Sequence, residues 1–85
     1  MPPSPADHDH APGSRELSLT DPPMTGADVR YVQRFIGTTR TGGVDGVYGP
    51  HTRAGVLWYQ AMRGIGVDGR VGRETWRNMG VRATF

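Results

Sequence analysis

Two aspartates stand at matching places in two copies of a short pattern within this 85-residue chain. Asp45 lies in VDGVYGPHT, residues 44–52, and Asp68 lies in VDGRVGRET, residues 67–75, and five of the nine positions are identical. Two neighbouring carboxylates with different pKa values can serve as a general acid and a general base. Each aspartate is also explained by its own Asp-Gly turn, in which the glycine adopts a positive φ. We therefore interpret both as turn residues.

Metal ligands are concentrated near the N-terminus, where Asp7-His8-Asp9-His10 alternates carboxylate and imidazole. Ligands on an unstructured segment must be ordered when the metal binds, which costs conformational entropy, so a solvated tail is the favoured interpretation. His51 is the one histidine beyond this segment, no ligand partner is suggested for it, and the chain has no cysteine. We predict no metal site, no cofactor and no enzymatic activity.

The chain is large enough for one small domain, and its charge is unevenly distributed. Residues 1–24 carry a net charge of −3, whereas residues 25–85 contain nine arginines and carry +5. This basic part favours an anionic partner, such as a nucleic acid, a membrane surface or an acidic cell-wall polymer. Without disulfides, stability must come from packing the large side chains, here Phe35, Ile36, Leu57, Trp58, Tyr59 and Trp76.

Proline and small polar residues dominate the beginning of the chain and predict an extended arm over residues 1–24, flexible or docked on a partner. Residues 25–85 are predicted to form an all-α domain of three helices. The first follows an N-cap at Thr25 and ends at Gly37. The other two follow the repeated turns, with N-caps at Gly49 and Gly72, and span residues 50–63 and 73–79.

The repeated turns belong to a longer series of motifs that resembles the peptidoglycan-binding domain of bacterial and phage cell-wall hydrolases. The similarity is continuous from Asp45 to Trp76 and extends loosely from Arg15 to Val81. It rests on Gly26, Asp28-Val29, Gln33, Asp45-Gly46, Tyr48-Gly49, Thr52, Val56, Tyr59-Gln60, Gly64-Ile65, Asp68-Gly69, Val71-Gly72 and Thr75-Trp76. The resemblance implies a small three-helix bundle that binds peptidoglycan and catalyses nothing.

Three positions depart from the family pattern: Val32 replaces leucine, Tyr59 replaces phenylalanine, and Gly55 replaces alanine. A glycine within a helix costs about 0.5–1 kcal/mol relative to alanine. Gly55 therefore predicts a close approach of another backbone segment. Gln60 is predicted to be buried, where it must be hydrogen-bonded, and we expect it to hold a loop in place.

A ligand-binding site is predicted around the first turn. Tyr48 would offer its ring as a stacking platform for a sugar, and Arg40, His51 and Arg53 would bind muramyl or stem-peptide carboxylates, with Asp45 completing the site. The alternative, which the resemblance favours, places the ring of Tyr48 in the core.

Two other functions are compatible with the sequence. The chain could be a virion component of a tail or capsid that docks on phage structural proteins through residues 1–24. Nucleic-acid binding ranks last, because the charge is modest and no recognition motif is present. We expect no membrane partner. The first ten residues lack the features of a secretory signal, so action outside a cell would require another route of delivery. The sequence leaves the location open between a virion and the bacterial cell wall.

Overall fold

The computed structural model describes residues 10–85 of the chain. The predicted Asp7-His8-Asp9 portion of the N-terminal tail lies outside the described residues. Within them, four helices occur in the order α1 (Ala27–Ile36), α2 (Thr38–Thr41), α3 (Pro50–Arg63) and α4 (Arg73–Asn78). The described residues form no strand beyond two isolated antiparallel bridges, Leu17 with Val71 and Thr25 with Val47. The all-α prediction is confirmed, and the single-turn helix α2 lies between the first two predicted helices, where no helix was predicted.

Helices α3 and α4 begin as the repeated turns predicted. Gly49 and Gly72 are their N-caps in extended conformation, and Pro50 occupies the first turn of α3, where its missing N–H is not needed. The N-cap of α1 is Gly26 rather than the predicted Thr25. The reason is the backbone, since Gly26 has a φ of 147°, which residues with a side chain rarely adopt.

The core is a cluster of side chains from all parts of the described chain. It consists of Leu17, Val29, Val32, Tyr48, Val56, Tyr59, Val71, Trp76 and Met79. Trp76 and Tyr59 are buried as predicted, whereas Trp58 is half-buried and Phe35 is 46% exposed. Phe35 was expected in the core and is not, because it lies at the edge of the core, where its ring contacts the buried Tyr59 on one side and solvent on another.

Residues 10–24 pack against the helices and are part of the domain. Leu17 is completely buried and exchanges two backbone hydrogen bonds with Val71, at 3.2 and 2.8 Å. The indole Nε1 of Trp76 donates to the carbonyl oxygen of Arg15 at 2.8 Å, and Arg15 forms an ion pair with the buried Asp28. The prediction of a flexible or partner-docked arm does not describe this segment, because its partners lie within the same chain.

Gly55 is located where α3 crosses α2. A Cβ atom at this position would lie 2.7 Å from Cγ2 of Thr41 and 2.9 Å from the carbonyl oxygen of Arg40. Neither distance is tolerated by real Cβ atoms. The close approach predicted from a glycine within a helix is therefore confirmed.

None of the helices between His10 and Phe85 has the length and hydrophobicity needed to cross a bilayer.

Candidate functional site

The side chain of Gln33 holds the first repeated turn through five hydrogen bonds. Its Nε2 donates to Oδ1 of Asp45 at 2.9 Å, to the carbonyl oxygen of Val47 at 3.1 Å and to Oγ1 of Thr52 at 3.0 Å. Its Oε1 accepts the backbone N–H groups of Asp45 and Gly46. A buried amide that is fully hydrogen-bonded in this way fixes the turn ahead of α3.

Gln60 holds the second turn with the corresponding five hydrogen bonds. Its Nε2 donates to Oδ1 of Asp68 at 3.0 Å, to the carbonyl oxygen of Arg70 at 2.8 Å and to Oγ1 of Thr75 at 3.1 Å. Its Oε1 accepts the N–H groups of Asp68 and Gly69. The predicted role of Gln60 in tying down a loop is confirmed, and the sequence repeat reproduces one turn structure twice.

The two aspartates are consequently turn residues. In each turn, Oδ1 also accepts the backbone N–H two residues further on, from Val47 to Asp45 and from Arg70 to Asp68. The Val47 N–H and the Gln33 amide stabilise the carboxylate and lower the pKa of Asp45. An aspartate that stays ionised and engaged in its own turn is poorly suited to carry a proton in catalysis.

Tyr48 lies in the core, so the prediction of an exposed stacking platform at this position is wrong. Its exposure is 0%, and its hydroxyl donates to the carbonyl oxygen of Gly69 at 2.7 Å. Burial raises the pKa of Tyr48, which keeps the hydroxyl protonated. The structure agrees with the alternative interpretation, in which the ring of Tyr48 lies in the core.

The other predicted site residues, Asp45, Arg40, His51 and Arg53, are exposed but face different neighbours. The guanidinium of Arg40 lies 4.3 Å from the centroid of the Trp58 ring, in a cation–π contact. His51 packs beside Gly42 at the end of α2. Arg53 extends in the other direction and lies over Gly69 in the second turn.

A cleft of about 250 Å³ opens beside Arg53. It lies between residues 18–19, the first turn of α3 and the second repeated turn. Arg53 and Arg70 provide two cations, and Asp68 provides one carboxylate. The full lining consists of Ser18, Leu19, Arg53, Asp68, Gly69 and Arg70. Such an arrangement suits a small ligand that carries carboxylates and an amine.

Among the residues that line this cleft, only Arg53 was predicted from the sequence to bind a ligand. Ser18 and Leu19 line it because Leu17 anchors their segment to Val71, and this contact joins residues far apart in the sequence. Arg70 carried a usable signal, since it occupies the turn position at which the first copy has Val47. An arginine in place of a valine indicates that the second turn is more exposed at this position.

Metal binding has no support within residues 10–85, where no three His, Cys, Asp or Glu side chains come together in a group suited to an ion.

A comparison with protein families shows which family this chain belongs to. The model of the peptidoglycan binding domain matches residues 25–79, which is more than half of the chain. The chain belongs to this family. The match includes both glutamine-held turns and the buried Trp76, whereas the packed residues 10–24 of this peptidoglycan-binding domain precede it. No curated protein and no solved structure gave a match.

Proposed function

We propose that this domain binds bacterial cell-wall peptidoglycan without catalysing a reaction, and so anchors a phage particle or a separately encoded hydrolase to the wall. The proposal rests on the cleft of about 250 Å³, which is lined by the cations Arg53 and Arg70 and by the carboxylate of Asp68. Peptidoglycan is an anionic polymer, and the family of this chain is a wall-binding family. The cleft replaces the site that was predicted around Tyr48.

The chemistry of the cleft fits a stem peptide. Stem peptides carry carboxylates, which the planar guanidinium of arginine binds with two parallel hydrogen bonds. They also carry an amine on the diamino acid, for which Asp68 is the complementary group. Arg70 is held only weakly by Glu16, at 3.8 Å between two exposed side chains, so it can turn to a ligand at little cost.

A shallow cleft with two cations gives weak binding at a single site. Useful retention would come from several copies on one particle, or from tethering to a hydrolase, because a second attachment then occurs at high effective concentration. This accounts for a wall anchor built from so small a domain.

Retention on intact sacculi free of teichoic acid tests the proposal. We expect the double variant Arg53→Ala/Arg70→Ala to be retained at least about a hundredfold less than the wild type, since each arginine would lose a charge-assisted hydrogen bond that contributes about 1.5–3 kcal/mol. The control is Arg77→Ala/Arg82→Ala, which removes the same charge from exposed arginines outside the cleft. Equal losses in both variants would show that retention depends on net charge alone and would refute the cleft.

The alternative role as a virion docking protein receives less support. It relied on residues 1–24 being available to a partner, but Leu17 and Arg15 are engaged with Val71, Trp76 and Asp28 of the same chain. Failure of the wild type to bind sacculi, even at low salt, would make this role the leading account.

A further inference from the structure

An aromatic surface lies at the other end of α3, apart from the cleft. Phe35 on α1 is 46% exposed, although its ring is fixed on two sides. Its centroid lies 6.1 Å from that of Tyr31, with the rings stacked, and 5.7 Å from that of Tyr59, with the rings at 86°. These contacts hold the ring in one orientation and leave part of it open to solvent.

An oriented amide is linked to this aromatic group through Tyr59, whose ring contacts Phe35 and whose hydroxyl contacts Asn78. Oδ1 of Asn78 accepts the Tyr59 hydroxyl at 2.6 Å and the Nε–H of Arg63 at 3.0 Å. Because the Nε–H of arginine can only donate, these contacts identify which atom of the Asn78 amide is the oxygen. The Asn78 Nδ2 group donates to no residue between His10 and Phe85. The two contacts of Oδ1 hold the amide in one orientation, and its two N–H donors have no partner among the described residues.

We propose that Phe35, Asn78 and Arg63 form a sugar-binding surface that takes an N-acetylhexosamine ring of the glycan strand. This inference rests on the proposed wall-binding function and names a second part of the same polymer. A pyranose has an apolar face of C–H groups, which would stack on the exposed Phe35 ring. Its hydroxyl and acetamido oxygens would accept from Asn78 Nδ2 and from the guanidinium of Arg63.

The polar groups decide between this occupant and an apolar protein partner. An apolar partner that covered both Phe35 and Asn78 would bury the Asn78 N–H donors without acceptors, which is unfavourable. A sugar satisfies them. A rigid aromatic ring beside a fixed amide and a cation is thus complementary to a ligand with one apolar face and an oxygen-rich edge.

The two surfaces lie far enough apart to contact different parts of the wall. Arg53 is in the first turn of α3 and Arg63 is its last residue, so they are about 15 Å apart along the helix axis. The cleft would bind a stem peptide, and the Phe35 surface would bind a sugar of the strand. Two weak contacts on one polymer strengthen each other through effective concentration.

Titration with chitotetraose, a tetramer of β-1,4-linked N-acetylglucosamine, tests the inference by NMR. This probe has the sugar chemistry of the strand and no carboxylate. We expect shifts of the Asn78 side-chain amide and the Phe35 ring. Asn78→Asp keeps the oxygen acceptor and removes both donors, and Phe35→Leu keeps the apolar side chain and removes the flat ring. Each should weaken binding about tenfold.

The controls separate this inference from the wall-binding proposal. Phe85→Leu changes an exposed aromatic residue elsewhere and should bind chitotetraose like the wild type. Arg53→Ala/Arg70→Ala should also bind it normally while losing retention on sacculi. If the shifts map to the cleft, if none occur, or if Asn78→Asp and Phe35→Leu bind like the wild type, the sugar site is overturned, whereas retention on sacculi through the cleft would still stand. Absence of binding to both probes would remove both proposals.

Discussion

The hydroxyl of Tyr48, in the first repeated turn, donates a hydrogen bond of 2.7 Å to the carbonyl oxygen of Gly69, in the second. Gly69 also lies beneath Arg53, so this bond sits directly behind the cleft. Tyr48 therefore contributes to the proposed site indirectly, by joining the turn that precedes α3 to the turn that lines the cleft. Its ring fills the core, and its hydroxyl positions the second turn.

We expect Tyr48→Phe to lower the free energy of unfolding by about 1–2 kcal/mol, because the Gly69 carbonyl would lose its partner in a buried setting. Urea unfolding followed by circular dichroism measures this. The control is Tyr31→Phe, since the Tyr31 hydroxyl makes no hydrogen bond within the described chain, and its change should stay within about 0.5 kcal/mol. Equal effects of the two substitutions would argue against the inter-turn bond.

The glutamine networks predict that Gln33→Glu and Gln60→Glu destabilise the domain to a similar extent. Each change removes the two N–H donors of an amide that contacts three acceptors and places a carboxylate against an aspartate, for a loss of about 3 kcal/mol. Urea unfolding of both variants tests the equivalence. Glu16→Gln, which affects only an exposed ion pair, should change stability by less than about 1 kcal/mol. A difference above about 1.5 kcal/mol between the two glutamine variants would contradict the duplicated network.

Removal of residues 1–24 should abolish cooperative folding, although the family match begins at residue 25. The shortened chain would lack Leu17, whose burial contributes about 1.5–3 kcal/mol, and would leave Asp28 and the Trp76 indole without their partners. A small domain has only about 5–15 kcal/mol of stability to lose. Near-ultraviolet circular dichroism and thermal unfolding provide the measurement.

The matched control is a chain that begins at residue 10. It retains every contact described for Arg15 and Leu17, together with the hydrogen bond from the Asp28 N–H to the carbonyl oxygen of His10. It should unfold cooperatively, like the full chain. A folded, stable 25–85 fragment would show that residues 10–24 are dispensable and that the predicted boundary at residue 25 is a true domain boundary.

Asp45 should make stability depend on pH under acidic conditions. Its pKa is lowered in the folded protein, so its contribution is complete above the ordinary value of 3.8 and is lost as the pH falls from there through the folded value. In the variant Asp45→Asn, the urea midpoint of unfolding should therefore fall less steeply with decreasing pH, between about pH 4 and 2, than in the wild type. The main cause is the Val47 N–H, and the charge of Arg30 contributes least, so the flattening should persist in 1 M salt. An unchanged acid slope would contradict this assignment.

Local features of the chain were predictable because they depend on residues close together in the sequence. Pro50 after Gly49 placed the start of α3, and Gly64 placed its end in the left-handed conformation, with a φ of 69°. Gly55 within α3 predicted the close approach of α2, because only glycine fits so near a backbone carbonyl. The motif series identified the family, which the match over residues 25–79 confirms.

The sequence by itself therefore determined three of the four helices between His10 and Phe85, the repeated turns and the family, since turn chemistry and helix periodicity act within a few residues. Only the tertiary structure decided which side chains are buried and which distant segments of the chain contact each other. The bond between Trp76 and Arg15 spans 61 positions and makes residues 10–24 part of the domain. Composition could not reveal this, because a proline-rich segment is ordered only when long-range partners compensate its loss of entropy. For the same reason Tyr48 is buried and Phe35 exposed: periodicity indicates which side chains share a face, and packing decides which face is covered.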